Sequence, residues 1–97
     1  VKATPLLTFC VYDAKAELYH PSFTAMNRAV AHRQFETAVS QEGHEFNLHA
    51  DDYSLWETGT FDQDEGINED NKNHVNVVNA HHIVAKLNNQ MLEVASG

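Results

Sequence analysis

Apolar and polar positions switch period several times along the chain, and each switch marks an element. "LLTFCVYDA", Leu6 to Ala14, is nearly continuous in apolar, aromatic and β-branched residues and follows Pro5. That composition predicts a strand. A run with so little alternation implies a strand covered on both faces, or one that pairs with another subunit. "KAELYHPSF" reads as a connector, because His20 precedes Pro21 and is pushed out of the helical region.

A helix is expected next. "AMNRAVAHRQFETAVSQEG" holds no Pro, and no Gly before Gly43, with Ser22 or Thr24 as caps and Gly43 as the stop. Met26, Ala29, Val30 and Arg33, then Phe35, Ala38 and Val39 slightly rotated, form a broad stripe at helical spacing. "HEFNLHADD" is expected to be a connecting loop.

In "YSLWETGTF" strict alternation places Tyr53, Leu55, Glu57 and Gly59 on one face, and Ser54, Trp56, Thr58 and Thr60 on the other. "DQDEG" then turns the chain, with Gly66 supplying a positive φ, into the short strand "INED". Asn68 to Asn73 is expected to be a polar loop and "HVNVV" a further short strand. Ala80, Ile83, Val84, Leu87, Met91 and Val94 recur at i, i+3, i+4, i+7 spacings and predict a closing amphipathic helix. The order β-α-β-β-(β)-α defines an α+β fold, a small antiparallel sheet with helices on one face. Its 97 residues make a single domain, 1–97.

Because neighbours on a strand alternate, Leu55 and Trp56 cannot both enter one core. A second copy of the chain is the economical partner for the surplus. Leu7, Phe9, Val11, Leu55 and Trp56 are therefore the expected contacts of a homo-oligomer.

Charge narrows the function. Six basic residues face fourteen acids, for a net −8. Seven His residues bring this close to zero only below about pH 6. Such a chain repels polyanions at neutral pH, which disfavours generic binding to DNA. No apolar run is long enough to span a bilayer, so no membrane partner is expected. The opening "VKATPLLTFCVYD" lacks the features of a secretory signal. The one cysteine, Cys10, reads as a buried, inert thiol in a reducing compartment.

The run from His49 to Gly66 holds six of the carboxylates and no Lys or Arg. A calcium loop beginning at Asp62 would need its glycine at Ile67 and its closing glutamate at Asn73, so that chemistry fails. The histidines lack the tight pairing of zinc ligands: His44 and His49 straddle a loop, and His81 and His82 diverge on a helix. No strand-turn-helix nucleophile elbow and no glycine-rich phosphate loop is present. No metal, cofactor or enzymatic activity is expected. What remains is a pair of arginines on the first helix, Arg28 and Arg33, with Lys86 on the last and Lys15 after the first strand. Tyr12, Tyr19, Tyr53 and Trp56 are aromatics able to stack on bases, as in single-strand binders.

"HADDYSLWETGTFDQDEG" also resembles the most characteristic stretch of the nonstructural protein of gokushoviruses, Microviridae phages with single-stranded DNA genomes. That family runs roughly His-Pro-x-Asp-Tyr-x-Leu-(aromatic)-x-x-Gly-x-(aromatic)-Asp-x-x-x-Gly. Here His49, Asp52, Tyr53, Leu55, Trp56, Gly59, Phe61, Asp62 and Gly66 hold those places, while Ala50 replaces the Pro. "VYDAKAELY", "PSF" and the helix with an Arg before Phe35 are similar to the family's opening, so the resemblance covers about residues 6–67. It implies a nonstructural phage protein in the host bacterial cytoplasm, linked to DNA replication and to single-stranded DNA binding. The charge argument, not a family motif, then places contact on Arg28, Arg33 and Lys86, supported by Lys15 and Trp56. The alternative is an acidic adaptor for a host or viral replication protein, without direct DNA contact.

Overall fold

The computed structural model describes residues 3–96, with side chains described through Met91. Among the described residues, five strands form an open antiparallel sheet and three helices cover one of its faces. The predicted α+β layering is the observed one.

β1 (Leu6–Asp13) is central, with β4 (Tyr53–Asp62) along one side. Its other side is lined by two fragments, β2 (Leu18–Tyr19) and β3 (Phe23–Ala25). The segment expected to be a plain connector is thus an edge strand broken in two, because Pro21 has no N–H to give the ladder. The turn before it is held by Asp13, whose Oδ1 accepts from the backbone N–H of Lys15 (3.0 Å) and Ala16 (3.2 Å). β1 is not covered on both faces. Leu7, Phe9 and Val11 turn toward the helices, and Thr8, Cys10 and Tyr12 toward the uncovered side. Cys10 is only half-buried there.

α1 (Arg28–Ser40) starts later than its pattern suggests. Asn27 caps it, its Oδ1 accepting from the Val30 N–H at 2.9 Å, while Thr24 is held in β3 opposite Thr8. The buried stripe is Ala31, Phe35 and Val39, spaced by four; Met26 is 76% exposed, and Ala29 and Arg33 also face solvent. Phe35 sets this rotation, because the bulkiest apolar side chain takes the centre of the core. The helix ends at Ser40 with Gln41 as cap, and Gly43 (φ +86°) lies two residues beyond.

The expected loop at 44–52 holds a one-turn helix, α2 (Glu45–Leu48). His44 Nδ1 accepts from the Phe46 N–H at 3.0 Å, and the Phe46 ring sits between Phe35 and Tyr53, with centroids 5.6 and 4.6 Å away. Asn47 Nδ2 donates to the Val39 carbonyl at 2.8 Å and fastens α2 to the end of α1.

β4 alternates as expected only up to Glu57. A bulge leaves Thr58 unpaired, so Gly59 pairs with Thr8 on the uncovered side and Thr60 with Leu7 on the helix side. β5 (Ile67–Asn79) is one long edge strand rather than two short pieces around a loop. Glu57 pairs with Val75 and Gly59 with Asp70, so residues 71–74 are accommodated as a wide bulge. The polarity of "NKNH" comes from that bulge. The turn at 62–66 is as predicted: Asp62 Oδ1 accepts from the N–H groups of Asp64 and Glu65, and Gly66 has φ +70°.

α3 (Ala80–Ser96) packs on α1, β4 and β5. Ala80 and Ile83 are buried and Val84 and Leu87 half-buried, but Met91 is exposed. The side chain of Val94, the last of the predicted stripe, lies outside the described residues. Among the described residues, no helix is long and apolar enough to cross a membrane.

Candidate nucleic-acid interface

The uncovered face of the sheet is built by alternation. Thr8, Cys10 and Tyr12 of β1 point to it, with Ser54, Trp56 and Thr58 of β4 beside them. Tyr19 comes from β2 and His74 from the bulge of β5. The rings form a run: Tyr12 and Tyr19 lie 4.7 Å apart and tilted by 51°, and His74 meets Tyr19 edge-on at 5.8 Å. Trp56 is half-buried, its Nε1 donating to Ser54 Oγ at 2.8 Å, which fixes the indole along the strand. Between β1, β4 and β5 the face sinks into a depression of about 390 Å³, lined in part by Thr8, Cys10, Thr58, Asp70 and His74.

Inside it the hydroxyls are unevenly satisfied. Thr58 Oγ1 donates to the Thr8 carbonyl at 3.4 Å and lies 3.8 Å from Cys10 Sγ. Thr8 Oγ1 is buried and has no hydrogen-bond partner among the described residues. Among those residues no three His, Cys, Asp or Glu side chains come together as metal ligands.

The five residues selected from sequence for DNA contact are not brought together. Arg28 opens α1, and its Nε donates to Glu57 Oε1 at 2.5 Å. That hydrogen bond and the carboxylate's charge raise the guanidinium's pKa above its ordinary value. Arg33 is exposed further along α1 and Lys86 is exposed on α3, both in the helix layer. Lys15 is exposed in the turn between β1 and β2. Trp56 is on the opposite side of the sheet from the arginine helix. Of the four aromatics, Tyr53 is lost to the core, with only 8% of its surface exposed.

The residues expected at an oligomer contact divide in the same way. Phe9, Val11 and Leu55 are buried under the chain's own helices, and Leu7 packs half-buried against them. Trp56 alone of the five lies on the uncovered face. Thr8, Thr58 and His74 were not singled out from sequence. Thr8 is the one hydroxyl residue inside the apolar run "LLTFCV", which is the signal that could have found it, but the long-range pairing that brings His74 across the bulge has no local signature.

These features define a small α+β protein whose open sheet keeps one face free, aromatic and polar. Residues 6–83, from β1 into the first turn of α3, match the family described as Phage ORF5 protein, and the chain belongs to that family of bacteriophage proteins. The match reaches past the hairpin motif into the C-terminal third. No curated protein and no solved structure matches the chain.

Proposed function

We infer that the protein serves phage DNA replication in the host cytoplasm by binding single-stranded DNA on the open face of its sheet, as an oligomer. The observation that carries this reading is the set of rings on the uncovered face, the Tyr12–Tyr19 pair with Trp56 on the neighbouring strand. Bases stack on exposed rings in a sequence-tolerant way, each contributing about 1–3 kcal/mol. The gokushovirus resemblance points the same way, and a phage protein is the right setting for it. The net charge of −8 opposes the reading, so phosphate contacts must come from local cations. Arg33 and Lys86 serve that role when a neighbouring copy turns its helix layer toward the strand, and this makes oligomerisation part of the mechanism.

The test is fluorescence anisotropy of a labelled oligonucleotide, single- or double-stranded, at low and moderate salt, with the protein's mass read by light scattering. Single-strand preference and an affinity that falls with salt are expected, the slope growing by about 0.7 for each phosphate neutralised. Tyr19→Ala and Trp56→Ala weaken binding without changing the fold. Absence of binding at low salt by a folded protein overturns the reading.

A second reading rests on a different feature. An apolar groove of about 350 Å³, lined by Val11, Pro21, Phe23, Phe35, Ala38 and Phe46, opens between β3 and the first two helices. It suits an acidic adaptor that holds an apolar side chain of a replication protein. Tyr19→Ala and Trp56→Ala leave that activity intact, whereas Ala38→Asp removes it.

A further inference from the structure

The depression on the open face differs from the surface around it in what it offers a ligand. Its lining among the described residues contains no Lys or Arg. Glu69 and Asp70 both line it, and Asp70, which shares the face of Thr8 through the register Thr8–Gly59–Asp70, brings a carboxylate that when ionised only accepts hydrogen bonds. Thr8 is only 8% exposed, and its Oγ1 has no hydrogen-bond partner among the described residues. An unpaired buried hydroxyl costs free energy unless something satisfies it. Asn68 adds an amide able to donate and accept, and Tyr19, 47% exposed, adds a free ring at the rim. The volume of about 390 Å³ is that of a small-molecule site, within the usual range of roughly 300–1,000 Å³. A phosphate would meet Asp70 and is rejected. A flat, uncharged group that presents N–H donors is welcomed.

We propose that this depression takes one unstacked nucleobase and selects guanine over thymine. A guanine edge presents two adjacent N–H donors, from N1 and N2, which match the two oxygens of a carboxylate. Cytosine and adenine present a single amino group to Asp70 and rank below guanine. Thymine offers one N–H, at N3, but flanks it with two carbonyl oxygens that face the same charge, and it ranks last. The base enters against the Tyr19 ring, while its sugar and phosphate stay outside with the rest of the strand. This deepens the single-strand reading and takes its biological setting from it: a strand that lies across the face would be held in register wherever a guanine drops into the depression.

Two titrations test the proposal separately from its setting. In the first, free guanosine or thymidine is added to isotope-labelled protein and backbone amide shifts are followed; nucleosides carry no phosphate, so cation contacts play no part. Guanosine is expected to shift the amides of Thr8, Asp70 and His74, and thymidine to leave them in place. In the second, an all-thymidine oligonucleotide is compared with one carrying a single central guanine. The guanine strand is expected to bind roughly 5- to 100-fold more tightly, the discrimination a bidentate base contact carries. Asp70→Asn, at an exposed edge position, is expected to remove that difference, the guanine strand losing its advantage over the all-thymidine strand. Equal strand affinities, with those amides unmoved by guanosine, overturn the base pocket and leave strand binding standing. Guanosine shifts without any strand binding support the pocket and remove the strand reading instead.

Discussion

Arg28 at the start of α1 and Glu57 in the middle of β4 are joined by a 2.5 Å hydrogen bond from Nε to Oε1. Glu57 has little access to water, while the arginine's side chain is 57% exposed. The pair is therefore asymmetric: the carboxylate depends on the cation more than the cation depends on it. Arg28→Ala leaves a buried charge unpaired and is expected to lower the thermal unfolding midpoint clearly. The double substitution Arg28→Met with Glu57→Leu recovers most of that loss, because removing both charges leaves nothing buried and unsatisfied. Circular dichroism melts of the three proteins check this. A midpoint for Arg28→Ala equal to that of the unaltered chain would show that the bond carries no structural weight. It follows that Arg33→Ala and Lys86→Ala are cleaner tests of phosphate contact than any change at Arg28.

Gly59 meets β5 so closely that a Cβ at this position would run into the carbonyl oxygen of Glu69. The obstacle is backbone, which cannot swing aside as a side chain can. Gly59→Ala is expected to force β4 and β5 apart and to destabilise the protein by about 1–3 kcal/mol or more. Urea unfolding measures the loss. Amide exchange should show the loosened ladder confined to the distal half of the hairpin.

Tyr53 is buried between β1 and α2, and burial raises its hydroxyl's pKa above the ordinary tyrosine value, with the Glu45, Asp13 and Asp52 carboxylates adding to the effect. A raised pKa means that the folded chain holds this proton more tightly than the unfolded chain does. The associated stability is complete below the unfolded tyrosine pKa near 10 and disappears as pH rises through the higher folded value. The unaltered protein should thus lose stability on that alkaline limb more steeply than Tyr53→Phe. Denaturant midpoints across that range, with tyrosinate absorbance recorded alongside, read the difference.

Asn27 holds the first turn of α1 through one side-chain oxygen. Asn27→Ala is expected to cost about 0.5–2 kcal/mol, and Asn27→Asp or Asn27→Ser to cost little. Chemical denaturation of the three variants decides it. If Thr24→Ala proved the costlier change, the helix would have to begin earlier in solution.

Local patterns carried much of this fold, and their failures share a cause. The apolar run of β1, the alternation of β4 as far as Glu57, the Asp62–Gly66 turn and the stripe of α3 are all set by neighbours in sequence. The burial face of α1 is not: Met26 and Ala29 fit helical spacing as well as Ala31 does, and only the position of the sheet selects Phe35. Pro21 announces a break, but the partner that makes a strand on either side of it lies in β1. The bulge at residues 71–74 reads as a loop because its polarity resembles one. The candidate site follows the same rule. Tyr12, Tyr19 and Trp56 stand out by residue type, whereas Thr8 and Asp70 matter only because three strands bring them to one depression. The cations were chosen by charge alone, and charge does not say on which side of a sheet a residue will lie.

The long bulge of β5 bears on how the molecule keeps its own company. A free edge normally offers the next chain a ready zipper of N–H and C=O groups, tooth by tooth. Four residues facing a single one interrupt the teeth midway along this edge. Two copies laid edge to edge fall out of step within a few residues, so stacking into fibres stalls at its first layer. The same irregularity that hid the strand in the sequence also keeps the exposed border of the sheet from acting as a seed.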